Sequence, residues 1–276
     1  MRYDMFTIFC CPVCGEQMER EEREYRCRRG HCFDVAREGY VNLLPVNHRH
    51  SVSPGDDREM VAARTRFLDG GWYEPLRSAL CQMAENIPGE GKKLLDAGCG
   101  EGYYTAALSG AMLKRNGYAA GVDLSKAAAK KAAKRCTNVE IAVSSVYRLP
   151  IMDETVDILV DCFSPLAVDE YRRVLCPGGV FLYVVPGPRH LWELKKILYD
   201  EPYENREKQE EYPGFKLLAV EPVETEFTLN RTEDIQALFH MTPYTWKTPK
   251  DGSDRLAELE RLNVTAQFRV HCFRRQ

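Results

Sequence analysis

Nothing in this chain is apolar for long enough to cross a bilayer as a helix. Its longest apolar run, GGVFLYVVPG at 178–187, falls far short of the ~20 residues that a spanning helix needs. The chain also lacks an excess of positive charge. Its 38 Lys and Arg stand against 41 Asp and Glu, a formal net charge of -3 with a pI of about 6.1. Bulk attraction to a polyanion is thereby excluded, and any nucleic acid would have to be met by a local patch. The opening MRYDMFTIFCC carries an acid at Asp4 and too short an apolar stretch for a signal peptide, so a reducing, cytoplasmic compartment is expected. There is no internal repeat and no low-complexity segment. At 276 residues, 44% hydrophobic and 29% charged, the composition suits an ordinary globular protein of one large or two modest domains.

Cysteine, by contrast, is plentiful, and five of the eleven fall within CCPVCGEQMEREEREYRCRRGHC at 10–32. In a reducing compartment, clustered thiols are metal ligands or redox groups more often than disulfides. Cys11-x2-Cys14 and Cys27-x3-His31 have the spacing of two knuckles, each giving two donors to a tetrahedral zinc ion. Gly15 and Gly30 suit the left-handed turns of such knuckles. The thioredoxin-type alternative is disfavoured, because no βαβ pattern surrounds Cys11 and Cys14. Two choices stay open: Cys32 could replace His31, and Cys10 could substitute for a ligand. Residues 1–50 otherwise read as short strands and turns without a helical period, so the metal would replace a missing core.

From Lys92 onward strands and helices alternate. KKLLDAG, YAAGVDLS, NVEIAVSS, TVDILVDCF and GGVFLYVVPG read as strands. EGYYTAALSGAMLKR, KAAAKKAAKRC, DEYRRVL and RHLWELKKILYD read as helices. This pattern predicts a mainly parallel α/β sheet. KLLAVEPVETEFTL and LNVTAQFRVHCF would add an antiparallel edge, and 201–214 reads as a charged surface insertion. Before it, PGDDREMVAARTRFLDGG and EPLRSALCQMAENI predict two helices, a lead-in over 51–90. The expected organisation is therefore a zinc module at 1–50 and an α/β domain at 51–276.

LLDAGCGEG at 94–102 ends the first strand on Asp96 and places Gly98, Gly100 and Gly102 at alternate positions before a helix. Such a loop lets the backbone approach a ligand at the carboxyl end of an open sheet. The spacing is not the G-x-G-x-x-G of nicotinamide proteins. Asp123, ending the second strand in GVDLS, can accept both hydroxyls of a ribose. S-adenosylmethionine fits this set better than NAD, since it has no pyrophosphate and its cationic centres suit acids.

With the L-P-x-x-D-x-x-x-D connection at 149–157 and L-x-P-G-G at 175–179, residues 70–200 resemble the class I, Rossmann-like S-adenosylmethionine-dependent methyltransferases. A closer likeness runs from residue 11 to about 246. CPVC…YRC…H-x-FD-x-A-x-EGYVNLLPV, PGD-x-x-EM-x-x-AR-x-x-FL-x-x-G-x-Y-x-PL, LD-x-GCGEGYYT, PGPRHLWELK and MTPYTW together resemble the bacterial large-subunit (23S) ribosomal RNA guanine-N1 methyltransferases. That resemblance implies a zinc module for RNA recognition, methylation of N1 of a guanine in a hairpin loop, a homodimer, and in one branch altered macrolide sensitivity. It implies zinc on Cys11, Cys14, Cys27 and His31. It implies cofactor contacts from Tyr73, Gly100, Glu101 and His190, beside Asp96, Gly98, Gly102 and Asp123.

Guanine N1 carries a proton at neutral pH, so an acceptor is needed as the methyl arrives. Asp161, in DCFSPL at the end of the fourth strand, is the candidate catalytic residue, with Phe163 as a stacking surface for the exposed base. The plain alternative for Asp161 is a solvated strand end. In the first fifty residues Arg20, Arg23, Arg26, Arg28, Arg29, Arg49, His48 and His50 could meet phosphates. Yet eight acids there balance eight Lys and Arg, so RNA binding would depend on how the fold sorts them. Two rival functions fit less well. A small-molecule methyltransferase would not need the zinc module, and a non-catalytic RNA-binding protein would not need the glycine loop.

Overall fold

A computed structural model describes residues 6–45, 55–89, 91–207 and 211–276. His48, Arg49 and His50, expected above as phosphate partners, lie outside the described residues.

The first thirty described residues form a four-stranded antiparallel sheet: β1 (Phe6–Cys10), β2 (Gln17–Arg20), β3 (Glu24–Cys27) and β4 (Cys32–Asp34), in that spatial order. The chain then crosses into the large sheet, where β5 (Tyr40–Asn42) is an edge strand. The two predicted lead-in helices follow as α1 (Arg58–Asp69) and α2 (Glu74–Glu85). Asp57 caps α1 by accepting from the Met60 amide at 2.8 Å.

β6 (Lys93–Ala97), α3 (Tyr103–Leu113), β7 (Tyr118–Asp123), α4 (Lys126–Arg135), β8 (Glu140–Val143), β9 (Val156–Cys162), α5 (Val168–Val174), β10 (Leu175–Pro186) and α6 (Trp192–Leu198) match the predicted alternation. L-x-P-G-G does not stand apart as a turn. It bulges within β10, whose pairing with β9 shifts register between Leu175 and Val180. The long strands β11 (Phe215–Leu229) and β12 (Leu262–Arg275) form the antiparallel edge. Between them the sequence reading leaves the chain unassigned. There it folds into α7 (Thr232–His240), a 3-10 turn (Pro243–Trp246) and α8 (Lys250–Ala257).

The eight strands lie in the order β11-β12-β10-β9-β6-β7-β8-β5. From β5 to β10 every neighbouring pair is parallel, and only the pairings of β12 are antiparallel. A parallel sheet must be covered on both faces. One face is packed by α1, α2, α3, α4 and α6 around residues such as Phe67, Leu76, Leu108, Ala129 and Leu194.

The other face is covered differently. The connection from β8 to β9, residues 144–155, contains no helix. Ile8, Phe9, Met18 and Tyr25 of the four-stranded sheet pack there instead, in one cluster with Ala142, Val146, Leu149 and Ile151. Phe9 forms a β-bridge with Ile151, and the Cys10 amide donates to the Pro150 carbonyl at 2.8 Å. Glu140, buried at the start of β8, accepts from Thr7 Oγ1 at 2.8 Å and Tyr25 OH at 2.7 Å, with the Arg20 guanidinium at 3.5 Å. The amino-terminal module therefore occupies the position of a missing crossover helix.

Candidate functional site

The amino-terminal module brings Cys11, Cys14, Cys27 and His31 together, with all four donor atoms within 4.8 Å of one another. Each knuckle closes on its own backbone. The Gly15 amide donates to the Cys11 carbonyl at 2.8 Å, and the Gly30 amide to the Cys27 carbonyl at 2.9 Å. Zinc bonds of ~2.3 Å to sulfur and ~2.0 Å to nitrogen at tetrahedral angles require about 3.8 Å between sulfurs and about 3.5 Å from sulfur to nitrogen. Cys14 and Cys27 Sγ are 3.8 Å apart, and His31 Nδ1 lies 3.5 Å from Cys11 Sγ and 3.4 Å from Cys27 Sγ. The residues fit zinc, through the Nδ1 nitrogen of the histidine. Cys10 is buried, and its amide is tied to the 149–151 segment away from the quartet. The Cys32 thiol points outward and donates to Glu24 Oε2 at 2.8 Å. Neither thiol belongs to the quartet.

The second site is a cavity of about 580 Å³ at the carboxyl ends of the parallel strands. Gly98, Gly100 and Glu101 from the glycine loop line it, as do Asp123 and Leu124 after β7. Ser145, Val146 and Tyr147 after β8, Cys162 to Pro165 after β9, and Tyr183 to Pro186 of β10 add further walls. His190, Tyr73 and Leu68 close one side. Asp56 and Arg64 from the lead-in, with Met241 to Tyr244, form the remainder.

Asp123 is fixed by two backbone amides, Gly100 at 2.9 Å and Ser125 at 2.7 Å. Burial pushes its carboxyl up to about 6. Each oxygen keeps a second lone pair, so the ribose role expected for it is geometrically open. Glu101 is almost fully buried in the cavity wall, and its carboxylate pairs with Arg135 at 2.8 Å. Tyr73 and His190 are buried beside each other, with ring centroids 6.3 Å apart. The Tyr73 hydroxyl and His190 Nδ1 have no hydrogen-bond partner in the protein. Burial pushes His190 down to about 3, so the ring is neutral. Orphaned buried atoms around a concave site are what a polar ligand would satisfy.

Two expected cofactor residues sit behind the cavity rather than in it. Asp96 is buried beneath the loop, where Thr105 Oγ1 donates to it at 2.6 Å, and it does not line the space. Gly102 is the point at which α3 crosses α4: a Cβ there would lie 2.9 Å from Ala132 Cα.

Asp161 requires a correction. It is neither a solvated strand end nor a group at the reacting centre. It is fully buried and absent from the cavity wall, and it accepts from Tyr171 OH at 2.8 Å and from the Ser164 amide at 2.9 Å. Side chains alternate along a strand. Ile158, Val160 and Cys162 face the cavity side, and Leu159 and Asp161 face the opposite one. Burial pushes the Asp161 carboxyl up to about 7. Its unfolded value is about 3.9, so the unfolded chain releases this proton first. The stability attached to the protonated form is present below about pH 4 and is lost as the pH rises through about 7. In Asp161→Asn, urea titrations should therefore show a shallower loss of stability between about pH 4 and pH 7, with cofactor affinity little changed. Lost affinity with an unaltered pH slope would return Asp161 to the site.

Phe163 does line the cavity. It is 46% exposed, at a left-handed φ of +63°, and its ring lies 6.3 Å from His190 and 5.8 Å from Phe268. A non-glycine residue held in that conformation is commonly functional. Asp56 and Arg64 carry no role legible in the sequence, whereas Tyr147 belongs to the end of the third predicted strand, where adenine contacts are expected. Their elements were legible, but their convergence on the cavity is tertiary.

The fold and cavity define a class I S-adenosylmethionine-dependent methyltransferase with an amino-terminal zinc ribbon. Comparison with known proteins agrees: residues 9–52 match the zinc-ribbon profile described as RlmA, N-terminal, and residues 94–179 match a methyltransferase domain. Three relatives match along nearly their whole length. The 23S rRNA (guanine(748)-N(1))-methyltransferase of Streptomyces fradiae is 33% identical over 94% of this chain and 93% of its own. Chains assigned as 23S rRNA (guanine-N(1)-)-methyltransferases in Micromonospora griseorubida and Bacillus subtilis are 35% and 33% identical, over 99% and 96% of both partners. The chain belongs to the 23S rRNA guanine-N1-methyltransferase family.

Proposed function

We propose that this chain methylates N1 of a guanine in a hairpin loop of 23S ribosomal RNA, acting in the cytoplasm as a homodimer. One observation carries the reading: similarity to ribosomal RNA methyltransferases extends unbroken through both the zinc ribbon and the cofactor domain. A small-molecule enzyme would share only the latter.

S-adenosylmethionine supplies an electrophilic methyl group. The chain's own work is to hold, orient and desolvate. Asp123 would take the ribose hydroxyls, the loop at Gly98–Gly100 would lie along the ligand, and Glu101, Tyr73 and His190 would complete the cofactor walls, with Asp96 and Gly102 setting the loop from behind. Phe163, exposed at the cavity mouth with Tyr147, offers aromatic faces to a base lifted out of its loop. The zinc ribbon presents Arg23 and Arg28 to the RNA. Modification of a loop guanine near the peptide exit would alter macrolide sensitivity.

The test is to incubate the protein with methyl-tritiated cofactor and unmodified 23S RNA, then locate the label by primer extension. A methyl on N1 blocks Watson–Crick pairing, so a single strong stop at one loop guanine is expected. Label confined to a small-molecule extract, or no label at all, would overturn the reading.

A further inference from the structure

S-adenosylmethionine carries a carboxylate, an ammonium and a sulfonium, and the charged groups around the cavity are not evenly matched to them. Asp56, Glu101 and Asp123 contribute three carboxylates, and Glu101 is already paired with Arg135. His190 is held neutral by burial. Among the described lining residues, the one Lys or Arg is Arg64.

Arg64 reaches the cavity from α1, and three walls meet at its guanidinium. Its Nη1 donates to Asp56 Oδ2, and its Nη2 to the Met241 carbonyl at 3.4 Å. A Cβ built on Gly100 would find Arg64 Nη1 as its nearest neighbour, at 3.9 Å, with nothing else within 4 Å. The guanidinium thus stands directly over the open face of the glycine loop. A guanidinium has five N–H donors in a fixed fork, and among the described residues two are engaged here. Asp56 holds the fork in orientation. Asp56 is itself fixed, since its carbonyl accepts from Ser125 Oγ at 2.6 Å beside the ribose acid.

We propose that Arg64 binds the carboxylate of the cofactor's amino-acid end, with Asp56 as its positioning residue, and so makes the site selective for cofactors that retain that carboxylate. The proposal rests on the cofactor assignment above. A planar fork matches a carboxylate through paired hydrogen bonds, which a lysine cannot reproduce. Among the described residues, nothing else lining the cavity offers a formal positive charge to that group.

The test compares two ligands by calorimetry on the full chain, with no RNA and no turnover: S-adenosylhomocysteine, and the same molecule with hydrogen in place of its carboxylate. Wild type should bind the first about 10- to 100-fold more tightly, the range for a charge-assisted hydrogen bond. Arg64→Met should lose that preference, weakening the first ligand by the same factor and leaving the second nearly unchanged. Arg64→Lys should keep part of it. If Arg64→Met weakens both ligands equally, the residue is a strut and the proposal fails. Equal binding of the two ligands by wild type overturns it without any variant. Binding of neither by wild type would overturn the cofactor assignment itself.

Discussion

Cys27→Ser is expected to lose most of its zinc and, with it, the cover over the β8 side of one face of the methyltransferase sheet. The ribbon cannot hold itself together by packing. In its four-stranded sheet, residues 6–34, the buried apolar side chains beside the ligands are Ile8, Phe9, Cys10, Met18 and Tyr25, too few for independent stability. A structural zinc contributes about 10–16 kcal/mol in small modules, far more than such a core. Were the ribbon an appendage, its loss would leave the catalytic domain intact. Here it fills the place of a helix absent between β8 and β9, so its melting would bare Ala142, Val146, Leu149 and Ile151. It would also strip Glu140 of Thr7, Tyr25 and Arg20. We expect zinc well below one equivalent by metal analysis, rapid proteolysis within 6–45, and a main melting transition lowered by roughly 10 °C. Chelation of wild type should reproduce the same shift. Full zinc loss with an unmoved transition would show that the ribbon does not support the sheet.

The same arrangement explains what the sequence could and could not disclose. The parallel core was legible because buried strands such as KLLDA and VDILVDC read as apolar runs between helical patterns. The zinc quartet was legible because its spacing belongs to two local turns, and turns are properties of neighbouring residues. Asp161 was misplaced because a strand end in DCFSPL reads the same whichever face its acid occupies. Only the packing of Tyr171 behind β9 decides it. Arg64 lies in a lead-in helix and Asp56 just before its cap, more than thirty residues before the loop that they overlook. Ordinary i,i+3 and i,i+4 reasoning gives such residues no target across the fold. The helices after β11 escaped notice for a related reason. Their amphipathic patterns, TEDIQALFH and KDGSDRLA, span only nine and eight residues, and the surfaces that they pack on, α1 for α7 and α6 for α8, lie far away in the sequence.

The glycine loop yields the sharpest contrast between folding and function. Gly98 and Gly100 both take left-handed conformations, at φ +86° and +54°, so alanine at either position costs about 1–2 kcal/mol in backbone strain. Their surroundings differ. A Cβ at Gly98 would fall 2.3 Å from Ser164 Oγ and 2.4 Å from Ser164 Cβ. That serine cannot swing away, since its Cβ sits on a backbone whose amide is pinned to Asp161. Gly98→Ala must therefore push the 162–165 segment, with Phe163, out of place. A Cβ at Gly100 meets only open cavity before Arg64. Gly100→Ala should fold with a melting temperature within a few degrees of wild type, matching the strain alone. It should nonetheless bind S-adenosylhomocysteine at least about 100-fold more weakly, because the new methyl occupies the surface along which the ligand lies. Gly98→Ala should lose both stability and binding. If Gly100→Ala kept full affinity, the cofactor would not lie against this loop. If Gly98→Ala were as stable as Gly100→Ala, the close approach of Ser164 would not be what requires glycine there.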